Sequence, residues 1–317
     1  MKRVLFVCML LCTQVIWAKP PYHLLNVVLD WYVNPNHAPL IVAQQQGFFK
    51  QAGLNVHLIA PSNADDGPKF VAANRADIAI TYQPNLMLQI DQGLPIVRIG
   101  TLINQPLSVV VVLKRSDIHH LFDLKNKTVG FSSDAIDPVM LNTMLHSQGL
   151  STKVVHLINV HYALTQGLLS GKIDAAIGMM RNVEVLEIQH LNYSVHVFYP
   201  EQYGFPYYDE LIFVANRAKV HNKDFQKFLI AVQKGVIYLK KHPEKTWKAF
   251  AKQYPESNTL TNKKIWFASI QYFDANPAQL NTVRYENFTR YLYRHRLIHK
   301  IPVLSTYAIS LKEIKSS

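Results

Sequence analysis

Residues 29–68, LDWYVNPNHAPLIVAQQQGFFKQAGLNVHLIAPSNADDGP, run through strand, turn, helix, turn, strand and turn. The apolar run from Val27 ends on the carboxylate of Asp30, and the loop Trp31–Asn36 carries an aromatic ring, two amides and Pro35, which stops the strand. A helix is predicted from near His37, because Leu40, Ile41, Ala43 and Phe48 share helical spacing. Gly53 then closes the Phe48–Gln51 turn ahead of a strand over Val56–Ile59. In open α/β sheets, small ligands settle beyond the carboxyl ends of the strands. Trp31, Asn34, Asn36 and His37 are therefore the first candidates for a binding site.

Outward from this unit the alternation continues. A helix over Asp66–Ala73 leads through the Asn74-Arg75 turn to a strand over Ala76–Thr81, then to a helix over Leu86–Gln92 closed by Gly93. Strands follow over Ile96–Leu102 and Leu107–Leu113. Continuous apolar strands separated by helices imply a buried, mostly parallel sheet, hence an α/β fold. A second unit of the same kind has a polar turn at Asp123–Lys127, a strand over Thr128–Phe131, and Ser132-Ser133-Asp134 feeding a helix over Asp137–Ser147. Hydroxyls and backbone N–H groups gathered there serve equally to cap the helix or to meet an anion, so Ser132 joins the candidates. Next come a strand over Val154–Asn159, a helix over Tyr162–Ser170, a strand over Ile173–Ile177 reaching Gly178–Asn182, and strands over Val195–Tyr199 and Leu211–Ala215. Amphipathic helices over His221–Lys240 and Pro243–Tyr254 precede a Tyr-rich, mixed helical tail. Its Tyr285–Arg296 face reads as packing and solvated charge.

Met1–Ala18 has Lys2 and Arg3, the apolar run Val4–Leu11 and a small residue at its end, the pattern of a secretory signal peptide cleaved near Ala18. The run is too short for the roughly 20 residues of a membrane span, so a periplasmic protein that does not span the membrane is expected. Both cysteines, Cys8 and Cys12, lie in this leader. Residues 19–317 thus offer no disulfide, thiolate metal ligand or cysteine nucleophile. The formal net charge is +12, but the basic residues are scattered over 219–264 and 284–300 without an aromatic platform, which argues against nucleic acid. No G-x-S-x-G elbow or Gly-rich phosphate loop occurs. His119 and His120 are adjacent and cannot share one side of a regular element, and His37 has no partner at helical spacing, so no metal site is predicted.

The stretch LDWYVNPNHAPLIVAQQQGFFKQAGLNV, together with PSNADDGPKFVAANRADIAIT, GLPIVRIGTLI, DLKNKTVGFSS, LLSGKIDAAIGMMRNVE and PYYDELIF, resembles the pyrimidine-precursor proteins of thiamine metabolism over Leu25–Lys245. That family has two branches: periplasmic binding proteins that feed an ABC importer, and a fungal-type pyrimidine synthase of the same fold. The resemblance implies a two-lobe, type II periplasmic-binding-protein fold. Lobe one would comprise residues 19–106 and 207–317, lobe two residues 107–206, with the ligand in the cleft and hinges near Pro106 and Pro206. In the synthase branch a lysine that holds pyridoxal phosphate ends a strand, and a reactive histidine follows four residues later. The matching positions here are Thr81 and Asn85, and the synthase's cysteine-rich segment falls near Gly204–Tyr208, which has no cysteine. Threonine cannot form a Schiff base, nor an amide replace imidazole. The expectation is therefore the binding-protein branch: no enzyme, no cofactor, no metal, a small-molecule pyrimidine ligand and an ABC transporter permease as partner.

An aminopyrimidine presents a flat π face, ring-nitrogen acceptors and N–H donors, so its site needs aromatic stacking and a few fixed polar groups. Trp31 and Tyr82 are the stacking candidates. Asn36, His37, Asn182, Glu184, Asp209 and Glu210 are the hydrogen-bonding candidates, with Ser132 and Tyr207 completing the set; Glu184 and Glu210 could instead cap a helix or pair with Arg181. Within the same fold, a sulfonate- or nitrate-type binder is the alternative, with Arg181 and Ser132-Ser133 converging on the anion, as is a thiamine or riboflavin binder.

Overall fold

The computed structural model describes residues 22–311; the expected signal peptide over Met1–Ala18 lies outside the described residues. Ten strands form two five-stranded sheets. They are β1 His23–Val28, β2 Leu54–Ile59, β3 Ile78–Thr81, β4 Ile96–Ile103, β5 Ser108–Leu113, β6 Thr128–Phe131, β7 His156–Asn159, β8 Ala175–Met180, β9 Val195–Phe198 and β10 Leu211–Asn216. The first sheet has the order β2-β1-β3-β10-β4 and the second β7-β6-β8-β5-β9. In each, one strand (β10 or β5) runs antiparallel to both its neighbours, while the other four share a direction. The sheets are therefore mostly parallel in direction, as the apolar runs required. The chain crosses between them twice, at residues 104–107 and 199–210.

The helices are α1 Ala38–Gln45, α2 Phe48–Gln51, α3 Asp66–Ala72, α4 Gln83–Asp91, α5 Asp137–His146, α6 Leu164–Leu169, α7 Glu184–His190, α8 Lys223–Lys241, α9 Pro243–Gln253, α10 Leu260–Ser269 and α11 Thr282–Arg294. The strand–turn–helix order in both units allows only a sheet with helices packed on its faces. In the first sheet β3, β4 and β10 are buried along their whole length, and in the second β5 is; burial on both sides is why β5 reads as an unbroken apolar run over Val109–Leu113. Close packing fixes the first binding turn. A Cβ at Gly235 of α8 would lie 2.3 Å from the carbonyl oxygen of Pro39 in α1, so only glycine lets the two helices meet there.

Two stretches differ from expectation. Residues 184–190 form α7, with Val185 and Ile188 buried one turn apart and Glu184 and Glu187 in the first turn, where carboxylates complement the helix dipole. The tail also does more than cover. Tyr285, Phe288 and Leu292 of α11 are buried, and Phe288 and Tyr291 pack edge-on against Phe205. The Tyr291 hydroxyl lies 2.7 Å from Thr143 Oγ1 in α5, so α11 reaches from the first sheet to a helix of the second.

Candidate ligand cleft

A pocket holding about 390 Å³ of atom-free space, part of it continuous with solvent, is lined from both sheets at the ends of their strands. Trp31 follows β1, Tyr82 follows β3, and Tyr208 and Glu210 precede β10; across from them stand Ser132 and Asp137 after β6 and Gly178 and Met180 from β8. Among the described residues that line it there is no lysine, arginine or histidine. Its charge-bearing groups are two carboxylates, Asp137 and Glu210.

Each carboxylate is pinned through one oxygen. Asp137 Oδ2 accepts the backbone N–H groups of Ser132 (3.0 Å) and Ser133 (2.9 Å). Glu210 Oε2 accepts the Leu107 N–H, the Ser108 N–H (3.0 Å) and the Tyr208 hydroxyl (3.0 Å). No donor among the described residues meets Asp137 Oδ1 or Glu210 Oε1. Burial raises both pKa values above the ordinary carboxylate range, Asp137 to about 7 against the pull of the two amides. Gly178, at φ +89°, makes the room for Asp137: a Cβ there would lie 2.5 Å from Oδ2. The Ser132-Ser133 corner is thus occupied by the chain's own carboxylate rather than open to an anion. The Ser132 hydroxyl donates to the His161 carbonyl, and Ser133 Oγ accepts the Ile136 N–H at 3.4 Å.

On the first sheet, Asp30 accepts the Tyr82 hydroxyl on Oδ2 (3.0 Å) and lies 2.9 Å from His37 Nε2 through Oδ1. His37 Nδ1 in turn accepts the Asn34 N–H at 3.3 Å. His37 is fully buried with both ring nitrogens engaged and does not line the cavity, contrary to its place among the expected contacts. It holds Asp30, which holds Tyr82. Burial and the Asp30 charge push the Tyr82 pKa well above the usual phenol value, so its hydroxyl stays a donor. Trp31 lines the cavity with its ring 4.2 Å from that of Tyr162 in edge-on contact, and its buried Nε1 has no hydrogen-bond partner among the described residues.

The structure brings Trp31, Tyr82, Ser132 and Glu210 to one cavity, and five other expected contacts elsewhere besides. Asn36 and Asn182 are buried and spent on each other at 2.7 Å. Glu184 accepts the Met180 N–H at 2.8 Å and faces a separate outer groove beside Trp31, Tyr162 and Glu187; its pKa is pushed up to about 8 by burial and by Glu187. Tyr207 is 49% exposed under the Arg284 guanidinium, and its neighbour Tyr208 lines the cavity instead. Asp209 is buried among Thr101, Tyr285 and Arg284, with which it forms an ion pair. Arg181, the expected anion ligand, is paired bidentately with Glu201 at 2.8 and 3.1 Å and does not line the cavity. Asp137 and Tyr208 are, among the lining residues that sequence reasoning missed, the two with an ionisable side chain. The only signal for Asp137 was a carboxylate one turn after a β-strand and beside a helix start, which also describes an ordinary cap. No cluster of three or more histidine, cysteine or acidic side chains that could hold a metal occurs among the described residues, and no helix there is long and apolar enough to cross a membrane.

Residues 34–246 match the model of the family described as NMT1/THI5 like. A Haemophilus influenzae protein named for thiamine biosynthesis is 43% identical, over 91% of this chain and 92% of its own length. A formylaminopyrimidine-binding protein of Halalkalibacterium halodurans is 31% identical, over 74% of this chain and 71% of its own. The 4-amino-5-hydroxymethyl-2-methylpyrimidine phosphate synthase of Aspergillus parasiticus is 25% identical, over 78% and 76%. Among solved structures, the alkanesulfonate-binding protein of Xanthomonas axonopodis pv. citri bound to MOPS superposes with a TM-score of 0.72 at 14% identity, covering 92% of this chain and 99% of that one. The fold is the two-lobe periplasmic-binding-protein fold that the opening stretch implied.

Proposed function

The chain belongs to the NMT1/THI5-like family, and from that premise we propose that it is an extracytoplasmic solute-binding protein which captures an aminopyrimidine precursor of thiamine and delivers it to an ABC permease. The observation that carries this reading is a cavity with two half-satisfied carboxylates and no cation. An exocyclic amine donates to a carboxylate oxygen, and a carboxyl group still protonated near neutral pH donates to a ring nitrogen; Asp137, with its pKa raised to about 7, can do either. Trp31, Tyr82 and Tyr208 supply ring faces and edges for the flat heterocycle. Lobe one is taken as residues 19–106 and 207–317 and lobe two as 107–206, with closure about the two crossings.

The sulfonate reading suggested by the structural neighbour is disfavoured here, because three anionic oxygens would face two carboxylates, and Arg181 is committed to Glu201. The synthase reading is disfavoured because the positions of its lysine and histidine hold Thr81 and Asn85, both fully buried and neither lining the cavity. Export is carried by the Met1–Ala18 pattern; a periplasmic form starting near Lys19 in mass spectra of cell fractions supports it, and retention of Met1 in a cytosolic pool refutes it.

The direct test is calorimetric titration with 4-amino-5-hydroxymethyl-2-methylpyrimidine, its formylated aminomethyl analogue, thiamine and taurine. Saturable binding of a free pyrimidine, with none of taurine, is expected. Binding of taurine in preference to every pyrimidine would overturn the assignment.

A further inference from the structure

We propose that Asp65 with Asn85, and Asn36 with Asn182, are closure residues: two polar latches that join the two sides of the cleft without meeting the ligand and so set how long a ligand stays. This rests on the solute-binding reading given above. The first latch is centred on the buried carboxylate of Asp65, just ahead of α3 in the first-sheet half. Its Oδ1 accepts Asn85 Nδ2 at 2.8 Å and Ser133 Oγ at 2.9 Å, and its Oδ2 accepts the Asp134 N–H at 3.0 Å. Asn85 Nδ2 also reaches Ser133 Oγ at 3.2 Å. Ser133 and Asp134 follow β6 of the second sheet, so three of these four hydrogen bonds cross the cleft.

The second latch crosses at a different place. Asn36 Oδ1 accepts Asn182 Nδ2 at 2.7 Å, and Asn36 Nδ2 meets Met180 Sδ at 2.9 Å. Asn182 also donates to Ser269 Oγ at 2.9 Å in α10, which returns the contact to the first-sheet half. Asp65, Asn85, Asn36 and Asn182 are all buried and none lines the cavity. Their neighbours do: Ala64 and Ser133 beside the first latch, Met180 beside the second. Polar latches suit a cleft that must reopen, because water takes over each hydrogen bond as the halves part, whereas an apolar seam of the same area would resist separation.

The test uses the full chain with Cys8→Ser and Cys12→Ser, and spin labels on cysteines introduced at the exposed Lys50 and Lys172, one in each half. Electron–electron distance measurements on the ligand-free protein should show a longer population in Asp65→Ala and in Asn182→Ala. The milder Asp65→Asn, which keeps the side chain's size, should shift the distribution in the same sense and guards against a folding defect. Stopped-flow fluorescence with 4-amino-5-hydroxymethyl-2-methylpyrimidine should show release about tenfold faster in the alanine variants, with little change in association. Unaltered distances in all three variants overturn the proposal, as does a loss of affinity that falls entirely on the association rate. Should the pyrimidine not bind at all, the functional reading fails, while the distance measurement still decides the latches.

Discussion

The turns that follow β1 and β6 occupy the same place in their sheets: each strand lies between two parallel neighbours, and each turn feeds a helix. They spend their carboxylates in opposite ways. Asp30 gives one oxygen to His37 and the other to Tyr82, so the carboxylate is fully used inside the first-sheet half and serves to aim a tyrosine. Asp137 gives one oxygen to two backbone N–H groups and keeps the second without a protein donor among the described residues. The richer collection of polar residues belongs to the first turn, but the carboxylate with an oxygen left over belongs to the second. On the reading proposed above, a carboxylate oxygen left over on the cavity wall is where a ligand would be recognised, because a satisfied buried group gains little from a newcomer.

The contrast breaks most readily at Gly178. Gly178→Ala would place a methyl group 2.5 Å from Asp137 Oδ2 and add about 1–2 kcal/mol of backbone strain at positive φ. Loss of aminopyrimidine binding by about a hundredfold or more is expected in calorimetry, and an affinity within threefold of the parent would contradict the role given to Asp137. Next in size is a paired comparison. His37→Ala leaves Asp30 buried with one partner gone and should cost about 3 kcal/mol or more of stability in denaturant unfolding. Asp137→Asn should weaken binding by about tenfold yet leave the midpoint of unfolding at pH 7 nearly unmoved. If the two variants exchanged these effects, the assignment of scaffold to one turn and recognition to the other would be reversed.

A smaller effect sharpens the same contrast through pH. Because burial raises the Asp137 pKa from its ordinary value to about 7, the folded chain keeps that proton longer than the unfolded chain. The resulting stabilisation is fully present below the ordinary carboxylate pKa and is lost as pH rises through 7. Asp65, Glu184 and Glu210 act in the same sense. The melting temperature of the ligand-free protein should therefore decline from pH 5 to pH 8, and Asp137→Asn should make that decline shallower; identical profiles would show that Asp137 titrates normally. The smallest change is expected at Tyr207, half exposed beneath Arg284. Tyr207→Ala should forfeit about 0.5–1 kcal/mol of cation–π contact and shift affinity less than twofold, whereas a tenfold loss would bring that ring back into the site.

Ten strands were legible in the sequence, most plainly where β-branched apolar residues run together as in Val109–Leu113, although the first lies at His23–Val28 and shares only Val27 and Val28 with the expected Val27–Asp30. Helix α7 was hidden since its buried residues, Val185 and Ile188, amount to a single turn. In the site, Trp31, Tyr82 and Glu210 were legible as bulky or charged groups at strand ends. His37, Asp209, Asn36 and Asn182 were legible as polar but not as already engaged: His37 meets Asp30, Asp209 meets Arg284, Asn182 meets Ser269 and Asn36 meets Asn182, at separations of 7, 75, 87 and 146 residues, and a sequence shows no distance. The choice of Tyr208 over Tyr207 depends on an irregular segment with no period to say which of two adjacent rings turns inward.

The strand that runs against its neighbours in each sheet has a consequence for the order of assembly. All five strands of the second sheet come from one uninterrupted stretch, residues 108–198, whereas β3 and β4 of the first sheet have no ladder between them until β10, at residues 211–216, slides into place. The first sheet is thus begun before the second and can be finished only after it. Its closing contacts span more than 100 residues of chain, and such long loops are slow to close. A chain emerging from a ribosome or a translocation pore would complete its second half while β3 still presents an open edge and β4 has no ladder partner, so the arrival of residues 211–216 is the moment at which the β3 edge is covered and ceases to be a hazard for aggregation.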